Sequence, residues 1–301
     1  MLADGIEPAP KAGTWSYAEA FSRNRGLLSD QDQERLRASR VAIIGMGGVG
    51  GAHLVTMARL GIGSFHIADP DTFDVVNFNR QQGATLQNLG RNKAEAMADE
   101  VRQINPEVRL RVFAEPMSPA NIDALLEGVE VVVDGIDFFA IEARRLLFRE
   151  ARRRGIWALT AGPIGFSAAN LSFSPQGMSF DEYFDIHDAM DPADKLVAFI
   201  IGLAPKPTHL GYMDLSQVDP RTGRGPSSGL ACHLCSGVVA AEVLKIILGR
   251  SPLHPAPWAF QFDAYRMQLR KVYLWLGNRH PWQRLKRRIL RKRLEQMGWR
   301  L

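Results

Sequence analysis

Gly45-Met46-Gly47-Gly48-Val49-Gly50 follows directly on the apolar run Val41-Ala42-Ile43-Ile44 and precedes a helical stretch, Ala52 to Leu60. Glycines at a strand-to-helix turn allow a tight bend and let backbone N–H groups approach a phosphate at the helix N-terminus. Asp69 closes the next apolar run, Phe65 to Ala68, where a dinucleotide-binding fold places the carboxylate that holds ribose hydroxyls. Gly45, Gly47, Gly48, Gly50 and Asp69 are therefore candidate nucleotide ligands. This pattern fits NAD as well as ATP.

The residues that follow favour phosphate chemistry. Asp69, Asp71, Asn77, Asn79, Arg80, Gln81 and then Lys93 make a stretch too polar for a loop with nothing to bind. When a carboxylate attacks an α-phosphate, negative charge builds on the phosphorane oxygens and the departing pyrophosphate. Such a site needs fixed cations and amide donors, here Arg80, Lys93, Asn77 and Gln81. It also needs Mg²⁺, which takes one or two carboxylates plus phosphate oxygens. Val131-Val132-Val133-Asp134-Gly135-Ile136-Asp137 supplies carboxylates just past a strand end, where open α/β sheets bind ligands.

These residues resemble the E1-like adenylating family: bacterial sulfur-carrier activators of the ThiF, MoeB and HesA type and the adenylation domains of ubiquitin-activating enzymes. The shared pattern is a glycine-rich loop, an acid ending the second strand, Asn77-x-x-Arg80-Gln81, Lys93, and Asp137 after the fourth strand. The resemblance runs from about Phe21 to Gly249. It implies that Asp69 holds the ribose, that Asn77, Arg80, Gln81 and Lys93 hold the phosphates of ATP, and that Asp137 binds Mg²⁺. Asp71 joins the nucleotide set. It further implies a homodimer in which Arg23 reaches the partner's ATP, and a substrate that is the C-terminal carboxylate of a small protein or peptide. Phe138 departs from the pattern, which has Asn there.

Other absences narrow the chemistry. Many relatives form a thioester on a crossover-loop cysteine, yet no cysteine lies between Phe173 and Leu230, where Ser216, Thr222, Ser227 and Ser228 stand instead. Cys232-His233-Leu234-Cys235 is a single Cys-x-x-Cys pair, and tetrahedral zinc needs four ligands, so His233, His209 or His254 would have to complete a site. Both cysteines read as small apolar residues of a helix, Cys232 near its start being the one reactive candidate. Asp181-Glu182-Tyr183-Phe184-Asp185 and Ala204-Pro205-Lys206-Pro207 are assigned to the substrate side, and His187 and His209 to loops.

The elements that must position these groups alternate. Strands are expected at 41–44, 65–68, 110–113 and 129–133, and helices at 30–37, 52–60 and 93–104. That alternation predicts an α/β, Rossmann-like, mostly parallel sheet. It continues into an antiparallel half, with late strands at 258–262 and 270–276, and a long crossover loop. Glycine, proline and aspartate accumulate from Gly162 to Gly229, so that stretch reads as irregular. An apolar helix follows from Leu230 to Leu248. The organisation expected is an N-terminal segment (1–39), a nucleotide-binding half (40–160), a crossover and substrate-side half (161–276), and a basic amphipathic tail (277–301).

The 301 residues, 46% of them hydrophobic, suffice for a sizeable core. No apolar run of the ~20 residues that span a bilayer stands out, and the N-terminus does not read as a signal peptide. Two cysteines fit a reducing cytoplasm. The net charge of +5 is local: nine basic residues from Arg279 to Arg300 stand against Glu295 alone, leaving −3 for the rest of the chain. The tail helix, with Trp282, Leu285, Ile289, Leu290, Leu294 and Met297 on its apolar side, reads as a dock for RNA, anionic lipid or an acidic partner. Three alternatives to a protein-directed adenylyltransferase stay open: an ATP-dependent dehydratase of a modified tRNA base, an NAD-dependent oxidoreductase, and a non-catalytic nucleotide-binding scaffold.

Overall fold

The structure, a computed structural model, describes residues 15–218 and 225–296. Thr222, Met297, Arg300 and the first fourteen residues lie outside that range. A short helix α1 (Tyr17–Ala20) and helix α2 (Asp30–Ala38) precede the sheet. The first half then alternates β1 (Arg40–Ile44), α3 (Gly48–Arg59), β2 (Ser64–Ala68), α4 (Lys93–Ile104), β3 (Arg109–Phe113), α5 (Ile122–Leu126), β4 (Val131–Asp134), α6 (Ile141–Arg153) and β5 (Trp157–Ile164). The second half runs β6 (Ser167–Phe173), α7 (Phe180–Phe184), α8 (Pro192–Leu203), α9 (Gly229–Ile247), β7 (Trp258–Asp263), β8 (Gln268–Tyr273) and α10 (Pro281–Gln296).

All eight strands form one sheet in the order β3-β2-β1-β4-β5-β6-β7-β8. From β3 to β5 the pairing is parallel, and from β5 to β8 it is antiparallel. Residue 160 lies inside β5, so the sheet runs unbroken from one half into the other. The inner parallel strands are β-branched and buried on both faces, as helices on both sides require. One apolar layer joins α2, α3, α4 and α9 to the sheet, and the other joins α5 to α8. Register carries the functional consequence: Ile44 pairs with both Ala68 and Asp134. The C-terminal ends of β1, β2 and β4 are therefore level, and the residues following them meet at one edge, where the chain order reverses between β1 and β4.

The stretch from Gly162 to Gly229 is more ordered than its composition suggests. It holds the end of β5, all of β6, α7 and α8, and of its described residues 204–218 and 225–228, beyond the links between these elements, are turns and irregular chain. Asp191 caps α8 by accepting from the Asp194 N–H (3.0 Å), and Pro192 occupies the first helical position, where its missing N–H costs nothing. Ser179 and Glu182 form a reciprocal capping box on α7. Asp191 and Pro192, of the residue types that make this stretch read as irregular, are a helix start.

Helix α9, 19 residues, is long and apolar enough to cross a bilayer by length and composition. It packs along α3 and against β5 and β6, burying Ala231, Cys232, Cys235, Ser236, Val239, Ala240, Val243 and Ile247. The Thr56 and Ser236 hydroxyls hydrogen-bond across the α3–α9 contact.

Candidate active site

The glycine turn is set by contact between backbones. Gly45 has φ +93°, and a Cβ there would lie 2.1 Å from the Gly135 carbonyl oxygen. A Cβ on Gly50 would lie 1.7 Å from the Gly45 carbonyl oxygen. These two glycines let β1 turn at once into α3 with the β4 loop pressed against it. Gly47 is the N-cap of α3 and makes no side-chain cap, and the helix N-terminus opens into a large cleft that Gly45, Gly47 and Gly48 line. That terminus offers amide donors and a positive dipole end to an anion.

Asp69 is held against the turn from both sides. Its Oδ2 accepts the Met46 N–H (2.6 Å) and its Oδ1 the Asp71 N–H (2.8 Å). Burial nevertheless pushes its pKa up, against those amides and the nearby Lys93 charge. Lys93, at the start of α4, is buried and pairs with Asp71 (3.1 Å). Arg80 is half-buried, its guanidinium donating to the Val76 carbonyl (2.8 Å) and Asn79 Oδ1 (3.0 Å). Gln81 is buried beside Gly47, and its Oε1 has no hydrogen-bond partner. An acceptor left unpaired at a cleft wall is a group awaiting a donor.

Across the cleft, Asp134 and Arg144 form a buried ion pair (2.6 Å; side chains 1% and 3% exposed). The same guanidinium donates to the Ile136 carbonyl (2.7 Å) and the Asp137 carbonyl (3.2 Å), and lies over the Phe199 ring (4.5 Å). Asp134 Oδ1 accepts the Ile136 N–H (3.0 Å). The loop after β4 is thus clamped from below, and it presents the exposed Asp137, whose Oδ1 takes the Phe139 N–H (2.9 Å). Phe138 packs on Phe139 and Phe199. The cleft between these walls encloses about 1540 Å³. Its polar end holds Asp69, Asp71, Arg80, Gln81, Lys93 and Asp137; its other end is apolar, walled by α8, residues 209–218 and α10.

The sequence pattern of the ThiF family matches residues 21–281. The chain belongs to the ThiF family. It is 30% identical over 81% of its length to a probable adenylyltransferase/sulfurtransferase MoeZ of Mycobacterium tuberculosis, and spans 57% of that protein. To the tRNA threonylcarbamoyladenosine dehydratase of Escherichia coli it is 32% identical over 50% of its length, spanning 56% of that protein. To the sulfur carrier protein adenylyltransferase of Thermus thermophilus it is 26% identical over 89%, spanning 92%. Two solved structures share the fold. E. coli MccB bound to MccA-N7isoASN has a TM-score of 0.65 at 18% identity, covering 88% of this chain and 73% of that one. The E. coli dehydratase with ATP has a TM-score of 0.58 at 23% identity, covering 77% and 95%.

Within this ThiF-family cleft most expected residues meet, while Asn77, Gly50, Arg23 and Asp134 lie elsewhere or are otherwise engaged. Asn77 is buried and absent from the lining, because its Oδ1 accepts the Asp74 N–H (3.0 Å) in a cap of a short 3₁₀ turn. Gly50 is a packing glycine under Gly45 rather than a ligand contact. Arg23 is exposed on a 3₁₀ turn (Ser22–Asn24) and does not line the cleft of its own chain. Asp134 is occupied by Arg144 rather than available to a metal. Among the described residues no group of three His, Cys, Asp or Glu side chains lies close enough to hold a metal ion. The acidic run from Asp181 to Asp185 is structural: Asp181 pairs with Arg145 and Arg149, Tyr183 and Phe184 are core, and Asp185 pairs with Arg287. His209 is buried against Gln261 (3.3 Å), and burial drives its pKa down to about 4.

Arg144 is the residue sequence reading missed. Its only signal is its place one turn into the helix after the Asp134-to-Asp137 loop. Replacing it with methionine should destabilise the fold by about 3–5 kcal/mol by leaving Asp134 buried and unpaired. Arg144→Met with Asp134→Asn should recover part of that loss. Thermal denaturation of both variants checks this, and an unchanged midpoint in the single variant would remove Arg144 from its anchoring role.

Proposed function

We propose that this protein adenylates a carboxylate with ATP, giving an acyl-adenylate and pyrophosphate. The observation that carries the reading is the cation and amide set of Lys93, Arg80, Gln81 and the α3 N-terminus, converging on one end of a cleft in a ThiF-family chain. A substrate carboxylate oxygen attacks the α-phosphorus, and the bond to the β-phosphate oxygen breaks. Lys93 and Arg80 offset the charge that develops on the phosphate oxygens and the leaving pyrophosphate. Asp69, fixed by two backbone amides, orients the ribose. Asp137, exposed and with one oxygen uncommitted, suits a Mg²⁺ whose remaining ligands are phosphate oxygens and water, and the ion would supply charge neutralisation there.

The relatives' names support this reading: MoeZ and the Thermus protein are called adenylyltransferases, and a 29% identical Haloferax volcanii protein is called a SAMP-activating enzyme. Structural neighbours are complexes with ATP, with AMP, and with AMPCPP plus MccA. The substrate proposed is the C-terminal carboxylate of a small protein or peptide. The dehydratase relatives keep a tRNA-directed reading in play, favoured by the exposed Arg284, Arg288 and Lys292 of α10. Pyrophosphate exchange with peptide carboxylates separates the two readings from each other. Lys93→Ala and Asp137→Ala should each lower exchange by roughly a hundredfold, about 3 kcal/mol, with the fold intact. Near-normal exchange in either folded variant removes that residue from the mechanism.

No enzyme thioester is proposed. Cys232 lines the cleft but is buried, and burial outweighs the Arg80 charge to push its thiol up to about 11; burial also pushes the Cys235 thiol well above its usual value. At neutral pH the protonated thiol, a poor nucleophile, is the form that burial favours. The Cys232→Ala/Cys235→Ala variant should therefore keep full exchange and form no less product. A reductant-sensitive enzyme–substrate adduct, lost in Cys232→Ala, would overturn this. Both thiols unpaired and buried also suit a cytoplasmic protein.

A homodimer is proposed through the loop after β2, where Val75, Val76, Phe78, Leu86 and Leu89 are exposed. Arg23 would then serve the partner's cleft. Light scattering should give twice the 33.5 kDa chain mass, and Val75→Asp/Val76→Asp should halve it. A monomeric parent protein at micromolar concentration would end that idea.

A further inference from the structure

On the far side of Pro207 from the apolar end of the cleft lies a second pocket, about 320 Å³, formed by Lys206, Pro207, Thr208, Arg266, Gln268 and Arg270. Three of its six residues are cations, and none of the three pairs with a carboxylate among the described residues. Thr208 is buried, and its Oγ1 has no hydrogen-bond partner. Like charges gathered without a counter-ion repel, and a bound oxyanion relieves that repulsion.

The cations are held in place. Asp263, fully buried, accepts the Arg266 N–H at Oδ1 (3.0 Å) and the Tyr212 hydroxyl at Oδ2 (3.2 Å). Met267 takes a left-handed φ of +51°, so the β7–β8 turn bends sharply at Arg266. The Arg266 guanidinium lies against Gly211, where a Cβ would meet it at 1.8 Å, and over the Tyr212 ring at 5.9 Å. Arg270 donates to Gln268 Oε1 (3.3 Å). The positive region also continues toward the cleft: Lys286, on the cleft wall, has its pKa lowered by burial and then by the Lys206 charge.

We propose that this pocket binds a carboxylate side chain of the polypeptide whose C-terminus enters the neighbouring cleft. The inference rests on the adenylation reading for its choice of polypeptide. Pro207 walls both cavities, so the pocket lies beside the cleft, within reach of a chain whose end enters it. Two guanidinium groups and a lysine lining one pocket, beside a buried hydroxyl without a partner, suit a carboxylate.

The test uses the full chain saturated with ATP, so that the phosphate end of the cleft is filled, and follows the anisotropy of a fluorescein-labelled tetraglutamate peptide. Arg266→Gln/Arg270→Gln should weaken binding at least about tenfold. Lys271→Gln should leave it unchanged, since successive β8 side chains point to opposite faces and the Lys271 amine lies over Trp258 (4.6 Å). A tetraglutamine peptide should not bind. Equal weakening by Lys271→Gln, no effect of the double variant, or no tetraglutamate binding at all would each overturn the proposal. Pyrophosphate exchange measured in parallel tells the two readings apart. Exchange that persists without peptide binding sinks the pocket alone. Pocket-dependent peptide binding without exchange sinks adenylation and keeps the carboxylate site.

Discussion

The contact on which this molecule depends is between backbones: the Gly45 carbonyl lies against Gly50 on one side and Gly135 on the other. Any side chain at these points would push β1, α3 and the β4 loop apart. With none, only three residues separate the end of the strand from the start of the helix. Every group in the candidate site is placed relative to that turn. Asp69 reaches it through the Met46 amide, Lys93 reaches Asp71 from the next helix, and Asp137 stands on the loop that Gly135 begins.

A buried charge beneath such a turn is costly unless fully paired. Asp134 meets that condition through Arg144 and the Ile136 amide, and Arg144 spends its remaining donors on carbonyls of the very loop that carries Asp137. One ion pair therefore does two things. It neutralises itself inside the sheet edge, and it fixes the loop so that the neighbouring acid faces the cleft. Two aspartates three residues apart acquire opposite roles from this difference in surroundings.

Much of this was legible in the sequence where local pattern and tertiary demand agree. The glycine turn, Asp69, Lys93 at a helix start and the strand–helix alternation all carry signals within a few residues. What the structure places differently has a partner that the sequence pattern does not flag, three residues away for Asn77 and far along the chain for the acidic run. Asn77 reads as a polar ligand because nothing local shows that it will cap its own turn at Asp74. The run Asp181 to Asp185 reads as substrate-facing because its partners, Arg145, Arg149 and Arg287, lie from 32 to 102 residues away. Helix α8 was hidden by a capping aspartate and an opening proline, which look like breakers until a helix is seen to follow them.

The basic tail shows the same principle at the scale of the whole chain. Its +8 and the −3 of the remainder look like a charged arm on a nearly neutral body, yet the two are interlocked. Arg287 pairs with Asp185, and Arg291 reaches Asp191 (3.3 Å) and Asp194 (3.7 Å) at the N-terminus of α8. Those two acids also suit the positive end of the α8 dipole, so each charge there has two reasons to stay. Gln283, buried at 2% exposure, ties α10 to the Ile201 carbonyl, while Trp282, Leu285 and Ile289 remain largely exposed. The face that seats the helix is therefore partly polar, Gln283 joining Leu290 and Leu294 of the apolar stripe. That seating turns Lys286, Leu290, Arg293 and Leu294 toward the cleft. The tail thereby becomes a wall of the site, and its uncommitted charge is brought to bear on whatever enters.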